Sequence, residues 1–352
     1  MFDQSLPLPK LLKQPFMKQL SKIWTTLASI ALSVSTINAA PIKHEFLAID
    51  EGLSSLMRVN ENNPSKNWLV SINKEHPRDM QLIGNNQLLI SHDHGYSIID
   101  INNGKIIADE SKYHDVSSVR KLDNGNILIV GVDFDTTKLN KGSSPIGDEK
   151  GRHVIIAEIS PSGSIIKRAA YVGDYARLAR ETAQGTYLVA CNTEFREGDR
   201  EGNWIKTYPI DGFNHAWKAN RLANGNIIMS AGYGLTLKKG SSFMIEIDPQ
   251  GKVIRKFGAK EQVPSDVNPY FYALFQVLKN GDIVVANWQG HKAGHNYSGR
   301  QIVEFNTNNE IVWSWSDRAF VSSIQAVLVL DGLDTTQFHD ERTGLVAPVA
   351  TK

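Results

Sequence analysis

The chain has 352 residues, of which 41% are hydrophobic and 21% charged, and this composition is typical of a folded globular protein. Its 38 lysines and arginines are balanced by 37 acidic residues, so the sequence lacks the basic surplus of a nucleic-acid-binding protein, and no nucleic-acid partner is predicted. The single cysteine, Cys191, excludes an internal disulfide and a zinc site built from cysteines.

Residues 1–40 have the features of a secretory signal peptide. A basic segment that starts at Met17 is followed by an apolar run over 23–37 and then by the small residues Ala39 and Ala40. Met17 is a candidate for the true start of translation. The apolar run is short for a membrane span, so we predict a periplasmic or secreted protein with no membrane span after cleavage. An uncleaved membrane anchor is the alternative.

After residue 40 the sequence repeats one pattern, in which a short strand and an Asn-Gly turn precede a β-branched strand. The clearest copies are VRKLDNGNILIVG at 119–131, NRLANGNIIMSAG at 220–232 and QVLKNGDIVVANW at 276–288, with weaker copies at 80–92 and 179–191. Asn-Gly between apolar strands predicts a β-hairpin, because a two-residue type I′ turn requires a positive φ at both central residues.

A second strand pair follows each hairpin, as in SFMIEIDPQGKVIRKF, so each unit predicts four antiparallel strands, which is one blade of a β-propeller. Five hairpins precede residue 289. The sixth blade is predicted to join SSIQAVLVL near the C-terminus to FLAID, SSLMRVN and NWLVSI near the N-terminus. We therefore predict an all-β, six-bladed propeller over residues 41–335, closed by its terminal strands, and a C-terminal tail at 336–352. Seven blades are the alternative, if an insertion contains a degenerate blade.

Histidines provide the main functional signal. In a propeller, the segment before each first strand and the loop after each second strand share one face near the axis. Seven of the ten histidines fall in such positions: His76, His92, His94, His114, His215, His291 and His295. Either they are loop residues without a role, or they act as ligands of a divalent metal (His92, His291 and His295) or as catalytic bases (His114 and His215).

Polar residues also occupy first-strand positions that would ordinarily carry valine or isoleucine. A ring of fixed donors suits an anionic or polyhydroxylated ligand, although such residues also bridge neighbouring blades. The candidate ligand-binding residues are Arg120, Arg177, Arg180, Lys218, Gln276, Trp288 and Gln325.

The segments GTYLVAC, NGNIIMSAG, NGDIVVANWQGH, QIVEFNTNNEIVWSW and SSIQAVLVLDG resemble the exported bacterial PQQ-like β-propeller repeat proteins and, more distantly, the arylsulfotransferase-like propellers. The resemblance covers residues 46–331 and implies a propeller with its ligand site on the axis. The aromatic-Gly-His loop of this family matches Trp288, Gly290 and His291. Its polar first-strand positions match residues that are already candidates, namely Arg180, Gln276 and Gln325.

Two departures limit what the resemblance implies. Quinone-using dehydrogenases of similar blade type often place adjacent cysteines against the cofactor, whereas Cys191 stands alone, so PQQ is not an expected cofactor. Arylsulfotransferases use a histidine acceptor within a longer chain, and although His114 or His215 could take that part, no distinctive motif around either residue transfers it to this sequence.

Three functional hypotheses follow. The first is an exported, monomeric propeller that binds a small anionic or carbohydrate ligand at its axial face. The second is an enzyme of lyase, hydrolase or sulfotransferase type that uses an axial histidine with or without a metal. The third is a scaffold for protein partners, for which the charged and glycine-rich segment 192–203 is suited.

Overall fold

Nearly all the regular structure is β-strand in the residues that the computed structural model describes, which are 40–132, 153–173, 175–210, 213–234, 242–291 and 299–349. Their one helical element is a short 3-10 turn at Pro64–Lys66. No helix in these ranges has the length and hydropathy that a bilayer span requires. The predicted signal peptide lies outside the described residues except for Ala40.

Four sheets contain four antiparallel strands each. The first joins both ends of the chain and consists of β24 (Ile324–Val329), β1 (Glu45–Asp50), β2 (Ser55–Asn60) and β3 (Trp68–Ser71). The second consists of β4 (Met80–Leu82), β5 (Gln87–His92), β6 (Gly95–Asp100) and β7 (Ile106–Glu110). The third consists of β8 (Val116–Lys121), β9 (Ile127–Val132), β10 (His153–Ile159) and β11 (Ile165–Val172). The fourth consists of β12 (Ala179–Glu181), β13 (Tyr187–Ala190), β14 (Glu194–Gly198) and β15 (Trp204–Pro209).

The remaining blade strands form one eight-stranded sheet instead of two separate ones. One half consists of β16 (Phe213–Arg221), β17 (Ile227–Gly234), β18 (Phe243–Ile247) and β19 (Val253–Phe257). The other consists of β20 (Phe271–Val277), β21 (Ile283–Trp288), β22 (Ile302–Phe305) and β23 (Ile311–Trp315). A single residue pair, Gly232 with Phe271, joins the halves. Gly232 permits this approach because a Cβ there would lie 1.9 Å from the Phe271 ring.

The predicted closure between the chain ends is confirmed. Strand β24 pairs antiparallel with β1, for example Leu328 with Leu47 and Val327 with Ala48. The fold is therefore all-β, with four-stranded antiparallel blades in a propeller arrangement, and the first strands β12, β16, β20, β24 and β4 contact one another in turn.

The repeated hairpins differ from the predicted turn type. In the copies at Gly125, Gly225 and Gly281 only the glycine has a positive φ, of 86°, 87° and 90°. The amide of Gly125 donates to the carbonyl of Leu122, and Leu122 donates to Asn126. This is the three-residue turn with a glycine bulge, not the two-residue type I′ turn. The predicted type I′ geometry occurs instead in the weaker copy, where Asn85 and Asn86 both have positive φ.

Apolar side chains fill the space between neighbouring blades because side chains alternate along each strand. On β9, Ile129 belongs to a cluster with Leu89 of the preceding sheet. Its neighbours Leu128 and Val130 belong to a cluster with Val189 of the following sheet. Each central strand is thus buried on both faces, which explains the continuous β-branched runs in the sequence.

Two segments expected to lie outside the blades are structured. Segment 192–203, on which the scaffold hypothesis depends, contains β14, a regular strand paired with β13 and β15. At the C-terminus, β25 (His339–Asp340) pairs with β26 (Ala347–Pro348). This segment also bridges to the far ends of two first strands, through Phe338 to Ile83 and Leu345 to Val277. It therefore lies across the ring on the side of the hairpin turns.

Candidate functional site

Two adjoining cavities lie at the opposite side, where the first strands begin. The larger has a volume of about 270 Å³ and the smaller about 100 Å³. Three residues line both: Arg78, Tyr175 and Arg177. The larger cavity adds His76, Asp93, Asp115 and Ser117. The smaller adds His215, Trp217, Phe271, Trp288, His291 and Gln325. Segments from several blades thus converge at one mouth.

A hydrogen-bonded chain of three side chains forms one wall of the larger cavity. Asp93, which follows β5, is the middle member of this chain. Its carboxylate lies 2.6 Å from His76 Nδ1 and 2.6 Å from Arg78 Nη1. The hydrogen bond with Asp93 raises the pKa of His76. Burial alone would raise the pKa of Asp93, but the hydrogen bond from His76 and the charge of Arg78 lower it on balance. The positive charge of Arg78 is therefore already compensated.

Arg177 differs from Arg78 because no carboxylate in the described part of the chain pairs with it. Its guanidinium lies over the ring of Tyr175, 4.2 Å from the centroid, and 5.8 Å from that of Trp217. One nitrogen donates to the carbonyl of Ala176 at 3.1 Å. Burial lowers the pKa of Arg177, as expected for a cation without an anionic partner. Among the described residues, Arg177 is therefore a cation without an anionic partner at the junction of the two cavities.

The smaller cavity is lined by residues whose buried polar atoms lack hydrogen-bond partners among the described residues. These atoms are the Tyr175 hydroxyl, Arg177 Nε, Trp217 Nε1 and Gln325 Oε1. Buried polar groups are nearly always paired, with protein, water or a ligand, because an unpaired one costs about 1–3 kcal/mol. Four such atoms around one cavity indicate a place for a polar molecule.

Aromatic rings enclose the same cavity. Phe271 packs edge-on against both Trp217 and Trp288, with centroids 5.3 Å apart in each pair. Trp288 also packs edge-on against His291 at 4.6 Å. Because these rings come from β16, β20 and the end of β21, they give the cavity a rigid apolar floor.

A carboxylate and two histidines meet beside this floor. Glu51, which follows β1, accepts a hydrogen bond from Trp288 Nε1 at 2.6 Å, and its other oxygen lies 3.2 Å from His291 Nδ1. Glu51, His291 and His76 each offer one possible metal-ligating atom within 4.8 Å of the others. Of the metal ligands predicted from sequence, His291 belongs to this group and His92 does not, while His295 lies outside the described residues.

Deeper along the axis, three of the predicted ligand-binding cations are paired with carboxylates of the protein. Arg180 forms two hydrogen bonds to Asp79, at 2.7 and 2.9 Å, and one to Glu341 at 2.5 Å. Lys218 donates to Glu341 at 2.6 Å, and Arg120 lies 3.6 Å from Asp79. About 20 Å³ of open space remains beside this network.

The network also changes the acid–base properties of its members. Burial would raise the pKa values of Asp79 and Glu341, but the neighbouring cations hold both well below their usual range. Burial lowers the pKa of Lys218 to about 8, although Glu341 opposes this shift. With Asp79 and Glu341 in place, Arg120, Arg180 and Lys218 have a structural role in this fold.

Of the two predicted ligand-binding glutamines, one binds a neighbouring strand and the other lines a cavity. Gln276 ties β20 to β24, since its amide donates to the carbonyl of Val329 at 3.2 Å and accepts from the amide of Val329 at 2.7 Å. Gln325, by contrast, lines the smaller cavity. The ligand-binding candidates that reach a cavity of appreciable size are therefore Arg177, Trp288 and Gln325.

The other predicted histidines are placed in different ways. His92 is buried within its blade, 3.7 Å from Asp109, and burial lowers its pKa to about 4. His114 is exposed, packs edge-on against His94 at 5.3 Å and does not line either cavity, although the neighbouring Asp115 lines the larger one. His215 lines the smaller cavity, and burial together with Arg177 lowers its pKa. His295 lies outside the described residues.

Sequence reasoning missed the carboxylates that organise the axis. Asp79 is fully buried directly before β4, in a repeat whose first strand breaks the pattern of donors. Glu51 is buried directly after β1, which is the second strand of the blade that joins the chain ends, so it has the position that Asp93 has after β5. Glu341 lies beyond the last repeat, so periodicity gives no signal for it.

The chain is similar in fold to solved structures. A protein of unknown function from Bacteroides caccae is 17% identical, with a TM-score of 0.61 over 82% of this chain and 99% of that chain. An inactive virginiamycin B lyase from Staphylococcus aureus is 10% identical over 78% of this chain and 84% of that chain, with a TM-score of 0.44. A regucalcin from Agrobacterium tumefaciens, a calcium-binding protein, is 10% identical over 82% and 92%, with a TM-score of 0.45.

The first likeness supports the fold alone, and the other two are too distant to inform the function. No protein-family model matches the sequence, and no curated protein is similar to it.

Proposed function

We propose that this chain is an exported six-bladed β-propeller of the PQQ-like type that binds a small anionic ligand at its axial mouth. The count of six treats the eight-stranded sheet as two blades, since its halves are joined by one residue pair. Export is supported by the residue pattern of positions 1–40. N-terminal sequencing of the periplasmic or secreted form should find Pro41 at or near its start, and a chain that retains residues 17–40 would contradict export by cleavage.

The observation that carries the proposed ligand class is the difference between Arg177 and the other axial cations. Arg78, Arg180 and Lys218 each have a carboxylate partner in the protein, whereas no described carboxylate pairs with Arg177. Arginine binds carboxylates and sulfates strongly because its planar donors match their oxygens. A ligand carboxylate or sulfate would complete this site.

The remaining groups favour a ligand that also carries hydroxyls. Trp217 Nε1, the Tyr175 hydroxyl and Gln325 Oε1 supply donors and acceptors around the smaller cavity. The ring of Trp288 offers an apolar face of the kind that packs against a sugar. Cavities of about 270 and 100 Å³ suit a molecule of monosaccharide size. A sugar acid combines these properties.

Calorimetry with glucuronate, galacturonate, citrate and sulfate, and with glucose as the neutral comparison, tests this proposal. We expect an acid to bind and glucose to bind more weakly. Arg177→Gln should weaken binding of that acid roughly 10- to 150-fold, since a hydrogen-bonded charge contributes about 1.5–3 kcal/mol. Arg168→Gln, at an exposed position on β11, is the matched control and should bind normally. Equal affinity of the Arg177 and Arg168 variants would refute the proposal, as would failure of every acid to bind.

Catalysis at the same cavity is the second candidate function, and His215 favours it. This imidazole lines the smaller cavity, and burial and the nearby Arg177 lower its pKa, which keeps it neutral and able to accept a proton from a bound acid. If the protein is an enzyme, His215→Gln should abolish turnover of the bound acid while binding persists. Recovery of the acid unchanged after prolonged incubation with the wild-type protein would exclude this second function for that ligand.

A further inference from the structure

The group formed by Glu51, His76 and His291 has a geometry that none of the preceding functions uses. The three residues come from different blades and stand at the cavity mouth, where Glu51 is buried and His291 is exposed. Their ligand atoms lie within 4.8 Å of one another. The Glu51 oxygen and His291 Nδ1 are 3.2 Å apart. Two ligands of one tetrahedral zinc ion, each at about 2.0–2.1 Å from it, stand about 3.3 Å apart.

Glu51 is held in an orientation that suits a metal ligand. Its Oε2 atom accepts a hydrogen bond from Trp288 at 2.6 Å, so this carboxylate is fixed and Oε1 is left on the side of His291. Among the described residues, His291 is the one potentially cationic side chain that pairs with Glu51. A buried carboxylate is costly without a compensating charge, and a bound cation would supply it.

One ring nitrogen of His76 is hydrogen-bonded to a carboxylate, as is usual for metal-bound histidines. Its Nδ1 atom is 2.6 Å from Asp93, and Arg78 in turn fixes Asp93. A carboxylate that binds one ring nitrogen fixes the tautomer and leaves the other nitrogen, here Nε2, to bind a metal. The backbone of His76 has a φ of 46°, a strained value for a residue other than glycine, and such strain is concentrated at functional sites.

We propose that Glu51, His76 and His291 bind one divalent transition-metal ion of the zinc class. Two imidazoles and one carboxylate are a donor set that zinc prefers, whereas calcium and magnesium take oxygen ligands. Three protein ligands leave a coordination position open beside the two cavities, of which His76 lines the larger and His291 the smaller. His291, with 63% of its side chain exposed, has room to turn its ring onto the ion.

Zinc titration of the full chain, after dialysis against a chelator and without any organic ligand, tests this site. We expect one zinc ion per chain in the wild-type protein and at least a tenfold weaker affinity in His291→Ala. Asp93→Asn should weaken zinc binding about 10- to 100-fold, because Asp93 positions His76. His114→Ala removes an exposed histidine outside the group and should bind zinc as the wild type does.

The outcomes are separable from those of the anion proposal. Arg177→Gln should keep its zinc affinity even where it loses the acid, so one site can fail while the other is confirmed. Absence of stoichiometric zinc binding, equal affinity in the His291 and His114 variants, or binding of calcium in preference to zinc would each overturn the metal site. Thermal unfolding of His291→Ala without metal checks that any loss of zinc is not a loss of folding.

Discussion

Glu341→Gln should destabilise the propeller strongly, although Glu341 belongs to the C-terminal segment and not to a blade. In the wild type, Asp79 and Glu341 face the cations Arg120, Arg180 and Lys218, all of them buried. The substitution keeps the shape of the side chain and leaves one carboxylate for three cations. Removing one partner from a buried pair costs about 3–5 kcal/mol. For a domain of about 300 residues this corresponds to a fall in Tm of roughly 5–8 °C.

Thermal and urea unfolding at neutral pH, followed by circular dichroism, measure this loss. Glu261→Gln, at an exposed position, is the control and should change the free energy of unfolding by less than about 0.5 kcal/mol. Addition of Lys218→Met to Glu341→Gln should restore part of the loss, because it removes one of the uncompensated cations. The reasoning is refuted if Glu341→Gln is no more destabilising than the control.

The pH dependence of this difference provides a second check. The neighbouring cations hold the pKa of Glu341 well below its ordinary value of 4.5, against the effect of burial. A lowered carboxyl pKa contributes stability that is fully present above the unfolded value and is lost as pH falls toward the folded value. The gap between the wild type and Glu341→Gln should therefore narrow below about pH 4.5. A gap that widens in acid would contradict the assigned charge state.

Two further predictions concern the places where the sheets are joined. Burial lowers the pKa of His44, but hydrogen bonds to Asp331 and Glu304 raise it to about 9 on balance. His44 should therefore add up to about 3 kcal/mol to the free energy of unfolding below pH 6.5, and this contribution should be lost as the pH rises to 9. The stability of His44→Gln, measured by urea unfolding across this range, should vary less with pH than that of the wild type. Gly232→Ala should cost about 1–3 kcal/mol in the same assay, because its Cβ would overlap the aromatic ring that it faces. Gly173→Ala, where the nearest atom is 3.4 Å away, should cost less, and equal losses would contradict the close approach.

The blades could be predicted from the sequence because their information is local and repeated. The turn glycines Gly125, Gly225 and Gly281 mark the hairpins, and the apolar runs beside them mark strands buried on both faces. Closure between β1 and β24 followed from counting incomplete repeats at the two ends. The join at Gly232 could not be predicted, since it depends on a contact between residues 39 positions apart in sequence whose geometry only the folded ring defines.

The sequence predicted where the candidate site lies, but it did not predict which side chains pair with one another there. The rule that loops before first strands and after second strands share a face located His76, His215 and His291 correctly at the cavities. The same rule placed His92 there, but His92 ends β5 opposite Gly95, and strand alternation turns its ring into the blade. The rule placed His114 at the cavities too, but its side chain is exposed and does not line either of them.

The charge pairing explains why residue type alone could not distinguish Arg177, the proposed ligand-binding arginine, from the paired Arg180. Arg177 and Arg180 are three residues apart, yet Arg180 lies at the depth reached by Asp79 and Glu341, whereas Arg177 lies above it beside the open cavity. Burial of a cation without a counter-charge costs several kcal/mol, which explains why the fully buried Arg180 is paired with carboxylates of the protein. The C-terminal segment supplies Glu341 at the lower level. At the upper level the described chain supplies no carboxylate for Arg177, and for this reason we propose that an external anion binds there.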